Sequence, residues 1–200
     1  MPQQNSQSPR LILASGSPYR RQMLERLGVA FEVLVAGIDE SPRADESGVQ
    51  LATRLAREKA LTVASGRPER LVIGCDQVAE CDGRLLGKPG SVQAAIEQLL
   101  FCRGKAMVFH SAIAMVGDGR VEARLVPTRI QLRNLNESAI QAYVERDRPL
   151  DCAGAMRSES LGIGIAESIS SDDPTALIGL PLIATLELLA EFGLELFRDF

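Results

Sequence analysis

Two hydrophobic periods alternate along this chain. Leu11-Ile12-Leu13-Ala14 is a continuous apolar run, as expected of a strand buried on both faces. It gives way to the small-residue loop Ser15-Gly16-Ser17. From Pro18 to Leu27 the spacing becomes helical, with Met23, Leu24 and Leu27 on one face and Gly28 as the stop. Phe31–Val35 reads as a second strand, followed by the polar loop Asp39-Glu40-Ser41-Pro42. Val49–Ala64 is helical through Leu51, Leu55 and Ala56, and it carries Glu58-Lys59. Leu71–Cys75 is a second apolar run, predicted to end as a strand at Asp76-Gln77. Asp82-Gly83 signals a tight hairpin that returns the chain to Gly87-Lys88-Pro89.

The second half repeats the mixture. Ser91 caps a helix through Phe101. Ala106–Val116 and Val121–Leu132 form a long antiparallel pair around Gly117-Asp118-Gly119, and Asn136 opens a helix to about Arg146, stopped by Pro149. Leu161–Ile169 is a strand candidate containing glycines, and Pro181–Phe192 is a closing helix ended by Gly193. Helices that alternate with strands and hairpins predict an α/β domain with a mixed rather than wholly parallel sheet, flanked by helices. Residues 1–9 are polar and read as a flexible segment, leaving residues 10–200 as a single domain.

Composition narrows the partners. The net charge is -4, which argues against nucleic acid as a partner, since that requires a basic face. The first nine residues lack an apolar signal core. The longest apolar stretch, Leu177 to Leu189, is interrupted by Gly179, Pro181 and Glu187, so neither a secretory leader nor a membrane span is expected and a cytoplasmic protein is. Cys75, Cys81, Cys102 and Cys152 form no C-x-x-C pair and are expected as reduced, mostly buried thiols. With His110 as the single histidine, a zinc site is not expected. The 22 basic residues comprise 19 arginines and the three lysines Lys59, Lys88 and Lys105; under a compositional bias toward arginine, each lysine is either a chance survivor or a place where a compact point charge is needed.

The candidate chemistry begins at the first loop. Ser17 is a good N-cap and Pro18 a good first helical residue, but Arg20 and Arg21 lie at the positive end of the helix dipole. Arginines there suit an anion: free backbone N–H groups, small hydroxyls and guanidinium groups together make a phosphate site. The same two arginines would also suit a solvated helix face. Asp76 and Glu40 both follow apolar strands; if those strands are neighbours, two carboxylates converge and could hold a hard divalent cation beside phosphates. Lys59 and Lys88 would add positive charge, pointing to a triphosphate. Glu159, in Arg157-Ser158-Glu159-Ser160, is either a solvent-facing turn residue or an acceptor for a purine N–H edge. His110 and Tyr143 read as structural.

Taken together, Ser15-Gly16-Ser17-Pro18-Tyr19-Arg20-Arg21, Asp39-Glu40, Glu58-Lys59-Ala60, Gly74-Cys75-Asp76-Gln77, Gly87-Lys88-Pro89, Cys152-Ala153-Gly154 and Gly179-Leu180-Pro181-Leu182 resemble the successive motifs of the Maf family of nucleoside triphosphate pyrophosphatases. The resemblance runs from about Leu11 to Leu189. It implies an elongated α/β fold similar to the inosine triphosphate pyrophosphatases, a homodimer, and cleavage of a nucleoside triphosphate to monophosphate and pyrophosphate with a divalent cation, Mg²⁺ or Mn²⁺. Carried over motif by motif, Asp76 is the proton acceptor and shares the metal with Glu40. Ser15, Arg20, Arg21, Lys59 and Lys88 hold phosphates.

Three positions separate the branches of the family, and here they are Tyr19, Gln77 and Glu159, similar to the branch acting on 7-methyl-GTP. The branch acting on dTTP and UTP has Arg, Thr and Gln instead. Tyr19 stands where Trp is commoner, Ser160 where Gly is commoner, and Cys75 in place of a usual Ser. Chemically the trio suits a cationic 7-methylguanine, which an aromatic face attracts and whose N–H edge a carboxylate accepts. Three other readings are the dTTP/UTP-type pyrophosphatase, a non-catalytic nucleotide sensor linked to cell division, and a sugar nucleotidyltransferase, to which only the opening loop bears a faint resemblance.

Overall fold

One strand organises the domain. In the computed structural model, which describes residues 10–199, β3 (Leu71–Cys81) carries strands on both edges and helices on both faces. Before it come β1 (Leu11–Ala14), α1 (Pro18–Glu25), β2 (Phe31–Val33) and α2 (Gly48–Ala64). After it come β4 (Arg84–Leu86), α3 (Val92–Cys102), β5 (Ala106–Gly117), β6 (Arg120–Leu132), α4 (Glu137–Asp147), β7 (Ala166–Ser171), α5 (Leu182–Glu191) and α6 (Leu196–Asp199). The segment expected to be flexible, residues 1–9, lies outside the described residues.

The described strands form one mixed sheet in the order β2-β1-β3-β5-β6-β7, with β4 also on β3. β2, β1 and β3 are parallel, and the other pairings are antiparallel. The mixed α/β expectation holds. Both tight turns form where sequence placed them: Asp82-Gly83 and Asp118-Gly119 have positive φ at both residues, which matches the twist of the strands they join. Ser17, Ser91 and Asn136 each accept a backbone N–H as helix caps, and Ser47 closes a capping box with Gln50 at the start of α2.

Two sequence expectations need correction. β3 does not end at Asp76-Gln77 but runs on to Cys81, so both polar residues sit inside a strand. Leu161–Ile169 is not a strand throughout: Leu161–Ile165 is a 3-10 turn, and β7 begins at Ala166. The turn requires glycine at position 162, whose N–H bonds Arg157 O and where an added Cβ would lie 2.3 Å from that same oxygen.

The sheet buries both faces. α1 and α5 pack on Leu11, Leu13, Ile73 and Met115, while α2 packs on Ile12, Val72, Ala112 and Ala114 from the other side. Farther along the same strands, α3 and α4 cover Cys81, Met107, Phe109 and Ile130. Tyr143 is buried in that last cluster, as expected of a helix core residue.

The register of β3 leaves a gap that positions the site. On one edge, β1 pairs only as far as Gly74, and β4 begins only at Ala79. On the other edge β5 pairs continuously from Val72 to Cys81. Between the end of β1 and the start of β4, Cys75 to Val78 therefore have one edge covered by no strand. Polar side chains can sit mid-strand there because that edge opens on a cleft.

Candidate active site

The cleft has a volume of about 790 Å³, within the range of small-molecule sites. The loop after β1 supplies Ser15 to its wall, the first turn of α1 supplies Tyr19 and Arg20, and β3 supplies Asp76 and Gln77. Glu40, Lys59, Lys88 and Glu159 complete the polar lining. Arg21 is the predicted site residue that the structure does not bring there. It is largely exposed and pairs with Glu25 one turn along α1, at 2.8 Å.

Residues that alternate on a strand face opposite sides, and this sorts the chemistry. Gly74, Asp76 and Val78 face α2. Gly74 lets α2 come unusually close: a Cβ there would lie 2.1 Å from Ala56 O and 2.6 Å from Ala60 N. On α2, Ala56, Lys59 and Ala60 share a face at helical spacing. The close approach brings buried Lys59 to Asp76, with Nζ 2.7 Å from Oδ1, and Lys59 also reaches Glu40 Oε1 at 2.9 Å. One ammonium thus holds two carboxylates together. Among the described residues no protein donor reaches Asp76 Oδ2. Lys59, expected on phosphate, is placed here on the acids.

The loop bearing Glu40 is tied down by ion pairs that the sequence analysis missed. Arg54 on α2 bonds both Glu46 oxygens, at 2.6 and 2.8 Å, and also Ser41 O and Glu58. Arg43 reaches back to Glu58 at 2.9 Å. The Arg54 hydrogen bonds hold the Glu46 carboxyl down at about 2. Asp39 makes an Asx turn by accepting Ser41 N–H.

The basic wall is built at the start of α1. Ser15 Oγ accepts from Ser17 N and from Arg20 Nη1, and Arg20 Nε donates to Gly179 O at 3.1 Å. Gly179 takes φ +120, where an L side chain is strained. Its carbonyl also accepts from the Cys75 thiol, a buried group whose pKa desolvation pushes up, so it stays a neutral donor. Cys75 thereby keeps the donor that a serine would supply. Asp173, itself buried, shapes this loop by accepting from Thr175 and Ile183 N–H. Lys88 is exposed, just beyond β4.

Tyr19 and Glu159 line the cleft from elsewhere in the chain. The Tyr19 hydroxyl donates to Asp151 Oδ2, and Arg157 holds the other Asp151 oxygen at 2.9 Å. Burial first, then the neighbouring Cys152 and Asp151, push the Tyr19 phenol up to about 12, so it is a donor at neutral pH. Glu159 is exposed on the turn after Arg157, with the Ser158 hydroxyl as its hydrogen-bond donor. The sequence alone does not mark Asp151 and Arg157, because a charged pair six residues apart in a loop has no periodic signal.

Glu40 and Asp76 fit a hard divalent cation. Both line the cleft beside the Lys59 ammonium, which pairs with one oxygen of each, and no group of three or more acidic, His or Cys side chains that could hold a metal exists among the described residues. Two carboxylates, with the remaining positions left to phosphate oxygens and water, is the donor set that Mg²⁺ accepts.

Comparison with known proteins identifies the family. The family model for Maf-like protein matches residues 10–192. A 7-methyl-GTP pyrophosphatase of Aromatoleum aromaticum is 50% identical over 189 residues, covering 94% of this chain and 97% of that protein. One from Pseudomonas aeruginosa is 46% identical over 190 residues, covering 94% and 99%. Among solved structures, the Ham1 protein of Staphylococcus aureus is similar over 62% of this chain and 72% of that one, with a TM-score of 0.46 and 18% identity. With the motifs gathered in one cleft and the match extending over almost the whole chain, the protein belongs to the Maf family.

Proposed function

We propose that this protein hydrolyses 7-methyl-GTP to 7-methyl-GMP and pyrophosphate, removing a modified nucleotide from the pool. The observation that carries the proposal is the meeting of Tyr19, Gln77 and Glu159 with Asp76 and the basic wall in a single cleft, in a chain about half identical to proteins of that name.

The residues divide the work. Ser15, Arg20 and Lys88 hold the phosphates beside the α1 N-terminus, where backbone N–H groups and the helix dipole favour negative charge. Asp76 takes a proton from water through Oδ2, while Lys59 fixes Oδ1. The water oxygen bonds to the α-phosphorus, the bond from that phosphorus to the α–β bridging oxygen breaks, and pyrophosphate leaves with the electron pair. Glu40 and Asp76 would hold Mg²⁺ or Mn²⁺, which supplies charge neutralisation to the triphosphate. Positioning and charge do most of the catalysis in phosphoryl transfer, and this cleft provides both.

Base selection rests on charge. The 7-methylguanine ring is cationic, and the face of Tyr19 attracts it by stacking and cation–π interaction, worth about 0.5–2 kcal/mol. Glu159 accepts from N1–H and the 2-amino group. A homodimer belongs to this reading on the family resemblance. No helix among the described residues is long and apolar enough to cross a membrane.

The test is release of monophosphate and pyrophosphate from 7-methyl-GTP, GTP, dTTP, UTP and CTP with Mg²⁺. Preference for 7-methyl-GTP is expected. Preference for dTTP or UTP would overturn the specificity, and binding without turnover would favour the sensor.

A further inference from the structure

Gln77 is held in a way that fixes which end of its amide meets a ligand. It faces away from Asp76, toward the turn Ala176–Ile178. Its Nε2 lies 2.9 Å from Ala176 O, 3.1 Å from Leu177 O and 3.0 Å from Ser111 Oγ. Two of these partners are carbonyls and can only accept. The third, Ser111, is the cross-strand neighbour of Gln77 on β5 and is fully buried. Its single hydroxyl proton goes to Ala176 O at 2.7 Å, so toward Gln77 it too can only accept. Three acceptors therefore demand the NH₂ end on the protein side. Gln77 Oε1 accepts from no group among the described residues and is not among the buried unpaired atoms, while Gln77 lines the cleft.

We propose that Ser111 is a positioning residue for substrate selection. With the Ala176 and Leu177 carbonyls it locks the Gln77 amide so that the cleft receives a hydrogen-bond acceptor, one that takes an N–H or O–H donor of the nucleoside. Ser111 touches no substrate and acts through Gln77. Its hydroxyl also ties the 3-10 turn Ala176–Ile178 to β5, so one buried group sets both the amide and the carbonyls that orient it. This rests on the cleft being a nucleotide site; it adds the polarity of the contact and the residue that imposes it.

A double-mutant cycle tests it, using Ser111→Ala, Gln77→Met and both together. The reference is the nucleotide of the panel that the wild type processes or binds best. Losing one buried hydrogen bond predicts a fall of about five- to tenfold in kcat/KM for Ser111→Ala, carried by KM. In the Gln77→Met background the same change should have no further effect. Inhibition by pyrophosphate, which engages only the phosphate half, should stay within about twofold of wild type, whereas a general loss of structure would weaken it in parallel. An equal effect of Ser111→Ala in both backgrounds, a parallel loss of pyrophosphate inhibition, or no effect at all would overturn the proposal. If the alanine variant fails to fold, Ser111→Cys keeps the volume with a weaker donor and should show the same pattern at smaller size. A wild type that ignores 7-methyl-GTP refutes the substrate reading, and the cycle on its preferred nucleotide still decides the role of Ser111.

Discussion

Replacing Gly74 with alanine adds one methyl group outside the cleft lining, yet it should disable the site. The built Cβ meets Ala56 O at 2.1 Å, Ala60 N at 2.6 Å and Ala60 Cβ at 2.8 Å. Two of these are backbone atoms of α2, so no rotamer change relieves them. Restoring a contact near 3.5 Å requires the helix to retreat from the sheet by more than ~1 Å. Overpacking of this kind costs about 1–3 kcal/mol. The gain from replacing glycine in a strand is about 0.5–1 kcal/mol; a contact of 2.1 Å to backbone puts the cost at the upper end of its range, so the clash wins and a net loss of about 2–2.5 kcal/mol is expected.

The effect on turnover should be larger. Lys59 stands next to Ala60 on the retreating helix, and its 2.7 Å bond to Asp76 spans the same interface two residues along β3. A misplacement of about 1 Å at a catalytic constellation costs on the order of 10²-fold in rate. Urea denaturation and steady-state kinetics on Gly74→Ala measure both quantities. Adding Ala60→Gly removes only the Cβ contact and should not rescue, because Ala56 O is unchanged. A Gly74→Ala protein with wild-type stability and turnover within about twofold of normal would refute the claim that the close approach of α2 sets the Lys59–Asp76 pair.

Two further outcomes follow from the electrostatics. Glu46 is held at about 2 against an ordinary 4.5, so its contribution to stability is full above pH 4.5 and lost as pH falls toward 2. The melting-temperature gap between wild type and Glu46→Gln should close across that interval; a gap independent of pH would show that Arg54 does not hold the loop through this carboxylate. Glu159→Gln should lower kcat/KM for 7-methyl-GTP by about tenfold, in line with loss of a charged hydrogen bond, while pyrophosphate inhibition is unchanged. An equal loss for every nucleotide would remove Glu159 from base recognition.

Local patterns in the sequence went far toward the fold and site. The caps at Ser17, Ser91 and Asn136 and the turns at Asp82-Gly83 and Asp118-Gly119 are encoded by a few adjacent residues, and each forms where those residues place it. The motif marks Asp76 and Gln77, but they lie inside β3 and not at its end. Polarity usually stops a buried strand, and nothing local shows that β1 ends early and β4 starts late. Arg20 and Arg21 look alike in sequence, but adjacent helical positions point about 100° apart, and only Arg20 turns to Ser15 and Gly179. The Glu46–Arg54, Asp151–Arg157 and Gln77–Ser111 contacts depend on tertiary pairing, which one sequence does not display.

The most direct test of the account is Asp76→Asn, with turnover of 7-methyl-GTP and binding of the intact nucleotide measured side by side. The amide keeps the shape of the side chain but cannot take the proton. Turnover should fall by at least about 10²-fold, the scale of general-base catalysis, while the nucleotide dissociation constant changes by only a few fold. Undiminished turnover would contradict the assignment of Asp76 as the proton acceptor and, with it, the cleft chemistry proposed for this protein.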